Sequence, residues 1–347
     1  MKKVLLALVA VTMLATLAVA ETQTIPYGFV QTWFSHASNG LDGDDAVTQS
    51  GFGLKRARLG VMLKGDNFMG NVLVESAGAF ALRDAYIDWY VNDMFTLTMG
   101  RFRGVGCQAA GLTGPIVLDL PEYGLVGKGW AGGTVGGDAR TIGMQLSAQV
   151  HEMIQVKALM HNGDGATSFL PAGNATDATG LVNTDVMPQM DFGVYVMPLP
   201  FVKGGVTYGM PNEFRNTTGS MTGFLYANLG ILYAKFDYAQ LMCNPVWDDD
   251  DMDFTSSGMA FTGGYTVMPQ TELVVRYDTW DADTDIDDNG RKNLAFGVNY
   301  SFNEDPAKKY QNRVQLSYTM RMDEAPEGED ERKDTGLIQL MWTFLIK

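Results

Sequence analysis

Basic side chains recur on one face of a short segment near the amino terminus. Arg56, Arg58 and Lys64 share one parity of a two-residue alternation. The residues of the opposite parity are apolar: Ala57, Leu59, Val61 and Leu63. A β-strand with this pattern presents cations on one side and hydrocarbon on the other. Because fixed cations along an aqueous passage lower the barrier for anions, the pattern predicts an anion-attracting surface.

Other charged residues extend this predicted pore lining, and the further candidates are Arg83, Arg101, Arg103, Asp119, Glu122, Lys128, Lys157 and Lys203. Arg101 and Arg103 share the parity of the apolar Leu97 and Met99, which places them either at a rim or beyond a β-bulge. A purely structural role is the alternative, because confined charges are usually paired. The arginines would then bind acidic residues of neighbouring strands: Glu75, Asp84 and Asp88.

The sequence offers little for catalysis. Its histidines are His36, His151 and His161, and neither a Gly-x-Ser-x-Gly nor a His-Glu-x-x-His motif occurs. A hydrolase would have to build its site around His36 or His161, near one rim. We therefore predict that the protein is not an enzyme and needs no cofactor.

Two cysteines, Cys107 and Cys243, lack a histidine or a second cysteine at ligand spacing, so no zinc site is predicted. Both fall at the same end of the predicted fold, and an exported protein meets an oxidising compartment. A disulfide between them is one interpretation. Two free thiols are the favoured one.

Acidic residues concentrate in three predicted loops, at 248–253, 278–288 and 324–331. Such clusters could hold divalent cations that bridge to lipopolysaccharide, although solvated, self-repelling loops are the favoured interpretation. The run from Asp285 to Gly290 matches the first half of a calcium-binding loop. The match then fails, because Phe296 stands where a bidentate glutamate is needed.

Composition excludes several classes of protein. The chain has 347 residues, of which 46% are apolar and 19% charged, and its net charge is -15. It is too apolar for a disordered segment and too poor in cysteine for a disulfide scaffold. A net negative charge of this size argues against a nucleic-acid partner, whose phosphates require a basic surface.

The first twenty residues have the pattern of a cleaved secretory signal peptide. Lys2 and Lys3 form a positive start, an apolar stretch follows over 4–17, and 18–20 is a small-residue cleavage site, so the mature chain is predicted to begin at Glu21. No later stretch has 18 consecutive apolar residues, which excludes a helical membrane protein.

Period-two alternation dominates the rest of the chain, in segments of about ten residues, the length that a tilted strand needs to cross a bilayer. Sixteen strands are predicted, at 25–35, 50–64, 68–76, 80–91, 94–102, 139–150, 153–162, 189–197, 201–210, 218–228, 230–242, 256–267, 271–279, 291–302, 311–322 and 335–347. Short turns alternate with longer polar loops. The pattern predicts an all-β fold: one transmembrane antiparallel barrel over 21–347, with short periplasmic turns and longer outer loops.

The longest connection is the third outer loop, residues 103–138. Loops of this length usually have a function, and this one carries apolar residues at 116–118 and 120–121 that could hold it against a surface. We expect it to fold into the barrel and set the constriction. A loop that only caps the outside is the alternative.

Several motifs resemble the bacterial family of phosphate-selective porins O and P. The similar stretches are 54–60 (LKRARLG), 82–88 (LRDAYID), 99–103 (MGRFR) and 272–278 (ELVVRYD). The resemblance implies a trimeric, sixteen-stranded outer-membrane channel whose third loop narrows the pore and whose members often prefer anions. Arg56, Arg58, Arg83, Arg101 and Arg103 resemble part of that family's arginine ladder. The outer loops are acidic here, so phosphate specificity stays open.

The sequence thus predicts a general diffusion porin of the bacterial outer membrane, which passes small hydrophilic solutes and prefers anions. Expected partners are outer-membrane lipid, lipopolysaccharide and two further copies of the chain. Two alternatives are a plugged structural or adhesive barrel, and a barrel hydrolase with its site at the rim.

Overall fold

A computed structural model describes residues 22–38, 48–78, 80–106, 109, 113–133, 139–162, 175–176, 182–183, 188–211, 217–244, 253–323 and 335–346. The predicted signal peptide, Cys107 and the acidic runs at 248–251 and 324–331 lie outside these residues. Among the described helices, none has the length and apolar character to span a membrane.

Sixteen antiparallel strands form one closed barrel. They are β1 (Gln23–Ser38), β2 (Thr48–Lys64), β3 (Phe68–Glu75), β4 (Ala81–Tyr90), β5 (Phe95–Phe102), β6 (Thr141–His151), β7 (Ile154–His161), β8 (Gln189–Leu199), β9 (Val202–Gly209), β10 (Thr217–Asn228), β11 (Leu232–Cys243), β12 (Phe254–Met268), β13 (Thr271–Trp280), β14 (Arg291–Ser301), β15 (Asn312–Asp323) and β16 (Thr335–Ile346). Each strand pairs with its sequence neighbour, and β1 closes the barrel against β16, with Val30 opposite Phe344. The predicted fold class and strand count are confirmed.

Alternation sorts side chains between the two faces of the wall, as it does in the last strand. Trp342 and Phe344 of β16 are half exposed on the outer face, whereas Gln339 and Thr343 are buried on the inner one. The barrel therefore inverts the usual arrangement, with hydrocarbon outside and polar groups inside. The strands meet in short turns at the end that carries 65–67 and 152–153, the turn end, and in longer connections at the other end, the loop end.

Two β-bulges alter the simple parity of the wall. The register of β1 against β2 shifts so that Lys55 is left between the paired Leu54 and Arg56. The register of β3 against β4 shifts in the same way and leaves Arg83 between Leu82 and Asp84. Because a bulge lets two successive residues face one side, each adds a basic side chain to the interior that strict alternation would turn outward.

The third loop enters the barrel. A 3-10 turn (Pro115–Val117) and helix α1 (Leu125–Gly133) lie between β5 and β6 in the chain. Val126 and Trp130 of the helix pack on Ala239 and Ala260 of the opposite wall. Gly129 has to be glycine there, since a Cβ would lie 2.3 Å from the Trp280 ring. Small residues on α1 and on the wall thus let the helix lie flat inside the barrel.

Outside the barrel wall, two short strands, Ala175–Thr176 and Val182–Asn183, pair with each other. The longest turn at the turn end, 302–311, contains a 3-10 turn (Pro306–Lys308), where Asp305 accepts a hydrogen bond from the backbone of Ala307. At the other end of this turn, the Tyr310 ring lies 4.9 Å from the guanidinium carbon of Arg313.

Candidate functional site

Backbone carbonyls of the third loop are held by side chains of the wall. Arg313 donates to the carbonyls of Ile116 and Leu118 at 2.7 and 2.8 Å. Gln315 donates to the carbonyls of Leu118 and Asp119, each at 3.2 Å. Both wall residues are buried on β15. Polar residues that alternation turns inward therefore satisfy a loop backbone that has no sheet partner of its own.

Charged groups add a second set of contacts. Lys235 of β11 donates to both carboxylate oxygens of Asp119, at 2.9 and 2.7 Å. Asp278 of β13 accepts from the backbone N–H of Leu125 at 3.2 Å, at the amino terminus of α1, where a negative charge is favourable. Arg276 donates to the carbonyl of Glu122 at 3.0 Å. Asp119, predicted as a pore-lining residue, is thus bound to a wall lysine.

Glu122 lies where the loop meets the bulge in β2. Its carboxylate accepts a hydrogen bond from Lys55 and lies 3.8 Å from Lys128 Nζ. Burial alone would raise the pKa of Glu122, but the charges of Lys128, Lys55 and Arg56 outweigh it and lower the pKa. The carboxylate therefore stays ionised at neutral pH and holds the loop to this side of the wall.

Between the third loop and strands β2–β6 lies a cavity of about 490 Å³, the outer chamber. Its charged lining consists of seven basic and two acidic side chains: Lys55, Arg56, Arg58, Arg83, Arg103, Lys128 and Arg140, with Glu75 and Glu122. The basic side chains outnumber the acidic ones by five, so the charged lining of the chamber is net positive.

A second cavity of about 510 Å³, the inner chamber, lies closer to the turn end. Its charged lining is more balanced: Arg58, Arg103, Arg140 and Lys157, with Asp84 and Asp88. Arg58, Arg103 and Arg140 line both chambers, and we call these three residues the arginine belt. A solute that passes between the chambers must cross this belt.

Two members of the arginine belt are fixed by carboxylates of the wall. Arg58 Nε lies 2.7 Å from Glu75 Oε2, and Arg140 Nε lies 2.6 Å from Asp84 Oδ1. Arg103 instead contacts neutral groups of the loop, including the Tyr123 hydroxyl at 3.1 Å. The pairing with Glu75 and Asp84 that the structural alternative predicted is therefore present, although the lining as a whole keeps its basic excess.

A third cavity of about 380 Å³, the side chamber, lies on the other flank of the loop. It shares Glu122 and Lys128 with the outer chamber, and its remaining charged residues are Arg276, Arg291 and Arg321. The sequence argument missed these arginines and also Lys55, Arg140 and Lys235. Four of the six, Arg276, Arg291, Arg321 and Lys235, have the inward parity of their strands, but nothing in the sequence reveals that the third loop lies against them.

The remaining predicted pore-lining residues occupy different surroundings. Lys157 lies over the Tyr195 ring and Lys203 over the Tyr226 ring, each at 5.1 Å from the ring centroid. Lys64 is exposed at the turn end of β2. Arg101 was predicted to line the pore, but it is not among the residues that line the inner chamber. Its parity is opposite to that of Thr98, which does line it. The Arg101 guanidinium donates to the Leu82 carbonyl at 3.1 Å.

The histidines that a rim hydrolase would need are not arranged alike. His161 is buried, with its ring nitrogens 3.0 Å from Thr141 Oγ1 and 2.9 Å from Asp191 Oδ2. His36 is near the loop end, 2.6 Å from the Ser50 hydroxyl. Within the described ranges, no group of three or more His, Cys, Asp or Glu is placed to hold a metal ion.

A closed barrel with an apolar outer face and a charged interior crossed by its own loop defines a membrane-spanning channel. The sequence matches the model of the Gram-negative porin family over residues 6–305, and the chain belongs to that family. It is a diffusion channel of the bacterial outer membrane. The turn end therefore faces the periplasm and the loop end the exterior. Among curated proteins, none matches the sequence.

Solved porin structures share the fold. The anion-selective porin of Comamonas acidovorans has a TM-score of 0.67 at 12% identity, covering 94% of this chain and 100% of that one. The outer-membrane channel DcaP of Acinetobacter baumannii has a TM-score of 0.62 at 12% identity, with 93% and 97% covered. Salmonella typhi OmpF, in complex with daunomycin, has a TM-score of 0.58 at 10% identity, with 92% and 97% covered.

Proposed function

We propose that this porin prefers anions, and that the outer chamber and the arginine belt produce the preference. The observation that carries the proposal is the lining of the outer chamber, with seven basic side chains and two acidic ones. A fixed positive excess in a confined passage lowers the electrostatic barrier for anions and raises it for cations. The anion-selective porin of Comamonas acidovorans, which shares the fold, is consistent with this assignment.

The third loop sets the narrowest part of the passage in this proposal. It is held to opposite walls, by Lys55 of β2 on one side and by Lys235 of β11 on the other, and Arg313 of β15 holds it on the wall between them. Open volume remains on both flanks of the loop, in the outer and inner chambers on one side and the side chamber on the other. This arrangement favours an open channel over the plugged structural barrel.

The test is the reversal potential of single channels in a KCl gradient. The double variant Arg56→Gln with Lys128→Gln removes two lumen charges. Arg56 donates to the neutral Gln31, and the Lys128 side chain is 58% exposed. We expect its chloride preference to fall relative to the wild type. Lys308→Gln is the matched control, since Lys308 lies in the turn 302–311 and lines none of the three chambers. A wild-type channel with cation preference would contradict the proposal.

Phosphate specificity is a finer proposal, supported by the motifs shared with porins O and P and by the basic excess of the outer chamber. Single-channel recordings in KCl, with potassium phosphate or potassium sulfate added at millimolar concentration, test it. A selective phosphate site predicts that millimolar phosphate reduces chloride current. Equal behaviour of phosphate and sulfate would leave a general anion channel.

We further propose a homotrimer, on the resemblance to trimeric porins and on family membership. Chemical crosslinking of the protein in outer-membrane vesicles gives the subunit number. A single monomeric band under conditions that crosslink a known trimeric porin would exclude it.

A further inference from the structure

The inner chamber has an apolar wall, although it belongs to a passage for hydrophilic solutes. The half-buried ring of Tyr86 lines it and packs edge to face on Phe102, which is buried behind it, with centroids 6.1 Å apart. Ile116 and Val117 of the third loop line the same cavity. Val117 is 38% exposed there, and the loop is fixed on both sides of it because Arg313 donates to the carbonyls of Ile116 and Leu118. An apolar surface that is kept open in an aqueous lumen marks a site for an apolar ligand group.

Cations border this apolar surface at fixed positions. Arg58 and Arg140 of the arginine belt are buried and held by Glu75 and Asp84, so their guanidinium groups are already oriented before a solute arrives. Orientation before binding reduces the entropy that a bound anion would otherwise cost. The outer chamber lies on the exterior side of the belt, so an anion reaches the belt first and the apolar wall next.

The two chambers differ in what they offer to a solute. The outer chamber provides charge, which serves any anion. The apolar wall of the inner chamber gives nothing to chloride or phosphate, because an ion against hydrocarbon loses hydration without gaining a partner. A solute gains from both only when one molecule carries an anionic group and an apolar body. The Tyr86 ring favours a flat aromatic body, which makes offset or edge-to-face contacts with it.

We propose that the inner chamber is a binding subsite for aromatic monocarboxylates. The carboxylate lies toward the arginine belt, and the ring lies against Tyr86 and Val117. A cavity of about 510 Å³ is within the range of small-molecule sites and holds a single-ring acid. The proposal rests on the proposed function, because the anion has to enter through the outer chamber. It adds that an apolar body, and not charge alone, determines which anions dwell in the channel.

Single-channel recording in planar bilayers tests the subsite with the full-length protein. Potassium benzoate or potassium acetate is added at equal millimolar concentration to symmetrical KCl. We expect benzoate, and not acetate, to produce resolvable interruptions of the chloride current. Val117→Ser removes apolar contact while every lumen charge stays, and it should weaken the apparent benzoate affinity about tenfold. Ile286→Ser is the matched control, since Ile286 is 51% exposed in a loop at the exterior end and lines neither chamber.

The outcomes separate this inference from the anion preference. Equal effects of benzoate and acetate, or an unchanged benzoate affinity in Val117→Ser, would overturn the subsite even in a channel whose reversal potential shows chloride preference. The channel could instead show no chloride preference but be interrupted by benzoate in a way that depends on Val117. That result would support the subsite and contradict the proposed selectivity. If Val117→Ser forms no channels, Tyr86→Leu decides by the same criterion, because it keeps an apolar side chain and removes the ring.

Discussion

Individual charges in this lumen have two kinds of partner. Arg58, Arg140 and Lys235 are each joined to a carboxylate within 2.7 Å. Arg56 and Lys157, by contrast, contact a glutamine oxygen and a tyrosine ring. Charges of the first kind orient the wall and the loop, and removing one partner leaves the other buried and unpaired. Removing a charge of the second kind leaves no such buried counter-charge, which is why Arg56 is suited to a selectivity test.

Glu75→Gln tests the structural kind. The carboxylate contacts the buried Arg58 and accepts the backbone N–H of Ala57 at 2.7 Å. The amide keeps one acceptor but leaves Arg58 without its counter-charge, which should cost about 1–3 kcal/mol. We expect a lower temperature for heat-induced unfolding on gels and a stronger chloride preference. Glu304→Gln, in the exposed turn 302–311, should change neither. An unaltered unfolding temperature in Glu75→Gln would show that the pair adds no stability.

The lowered pKa of Glu122 predicts how the loop responds to acid. Its contribution is fully present above the ordinary glutamate pKa of about 4.3 and is lost as the pH falls through the lower pKa of the folded protein. Conductance should therefore be steady from pH 7 down to the ordinary glutamate pKa, and current noise should rise only below it. Glu122→Gln should be noisy at every pH. A noise transition centred above pH 5 would contradict this assignment.

At the scale of elements, the sequence predicted the strands well and the faces of a few residues poorly. Alternation over about ten residues located all sixteen strands of the barrel, because each face meets a different solvent. Alternation did not predict the bulges at Lys55 and Arg83, because a bulge depends on the register between two strands and not on either sequence alone. The sequence predicted a link at 77–79 between the third and fourth strands; in the structure β3 ends at Glu75 and β4 begins at Ala81, so each bound differs by one residue.

Placement of the third loop depends on pairs of residues far apart in the chain. Its apolar residues indicated a surface contact, but only the structure shows that Leu120 packs on Val274 and Ala295, and α1 on Ala239 and Ala260. Such contacts join one loop to strands more than a hundred residues later. The small residues that face inward on those strands fit an ordinary alternating pattern, so the sequence does not show that a loop packs against them.

Gly129→Ala tests the docking of α1. A Cβ at this position would lie 2.3 Å from the Trp280 ring, so the helix must move away from the wall. We expect altered single-channel conductance and more frequent current fluctuations, with the barrel itself still formed. Gly114→Ala is the matched control in the same loop, because no atom lies within 4 Å of its added Cβ. Identical recordings for both variants would argue that α1 does not affect the conducting path.

For the whole molecule, composition alone is misleading about both solvent and charge. An apolar content of 46% would suit a soluble core, but here the large apolar side chains of the strands are mostly exposed on the outer face. The net charge of -15 is likewise the sum of two separate populations: acidic segments such as 281–288, near the exterior mouth, and a basic interior. An ion passes these regions one after the other, so the net charge of the chain does not predict whether the channel prefers anions or cations.

Ionic strength should separate the contribution of the interior from that of the mouth. At 1 M salt the screening length is about 3 Å, and only charges in contact with an ion act on it, whereas at 0.01 M it is about 30 Å and the acidic loops act as well. We expect chloride preference to be strongest near 0.1 M KCl, where screening at about 10 Å isolates the outer chamber, and to decline toward both extremes. Reversal potentials at a fixed concentration ratio over this range measure it. The Arg56→Gln, Lys128→Gln channel should show a flatter maximum, and a preference that rises steadily with salt would contradict control by the outer chamber.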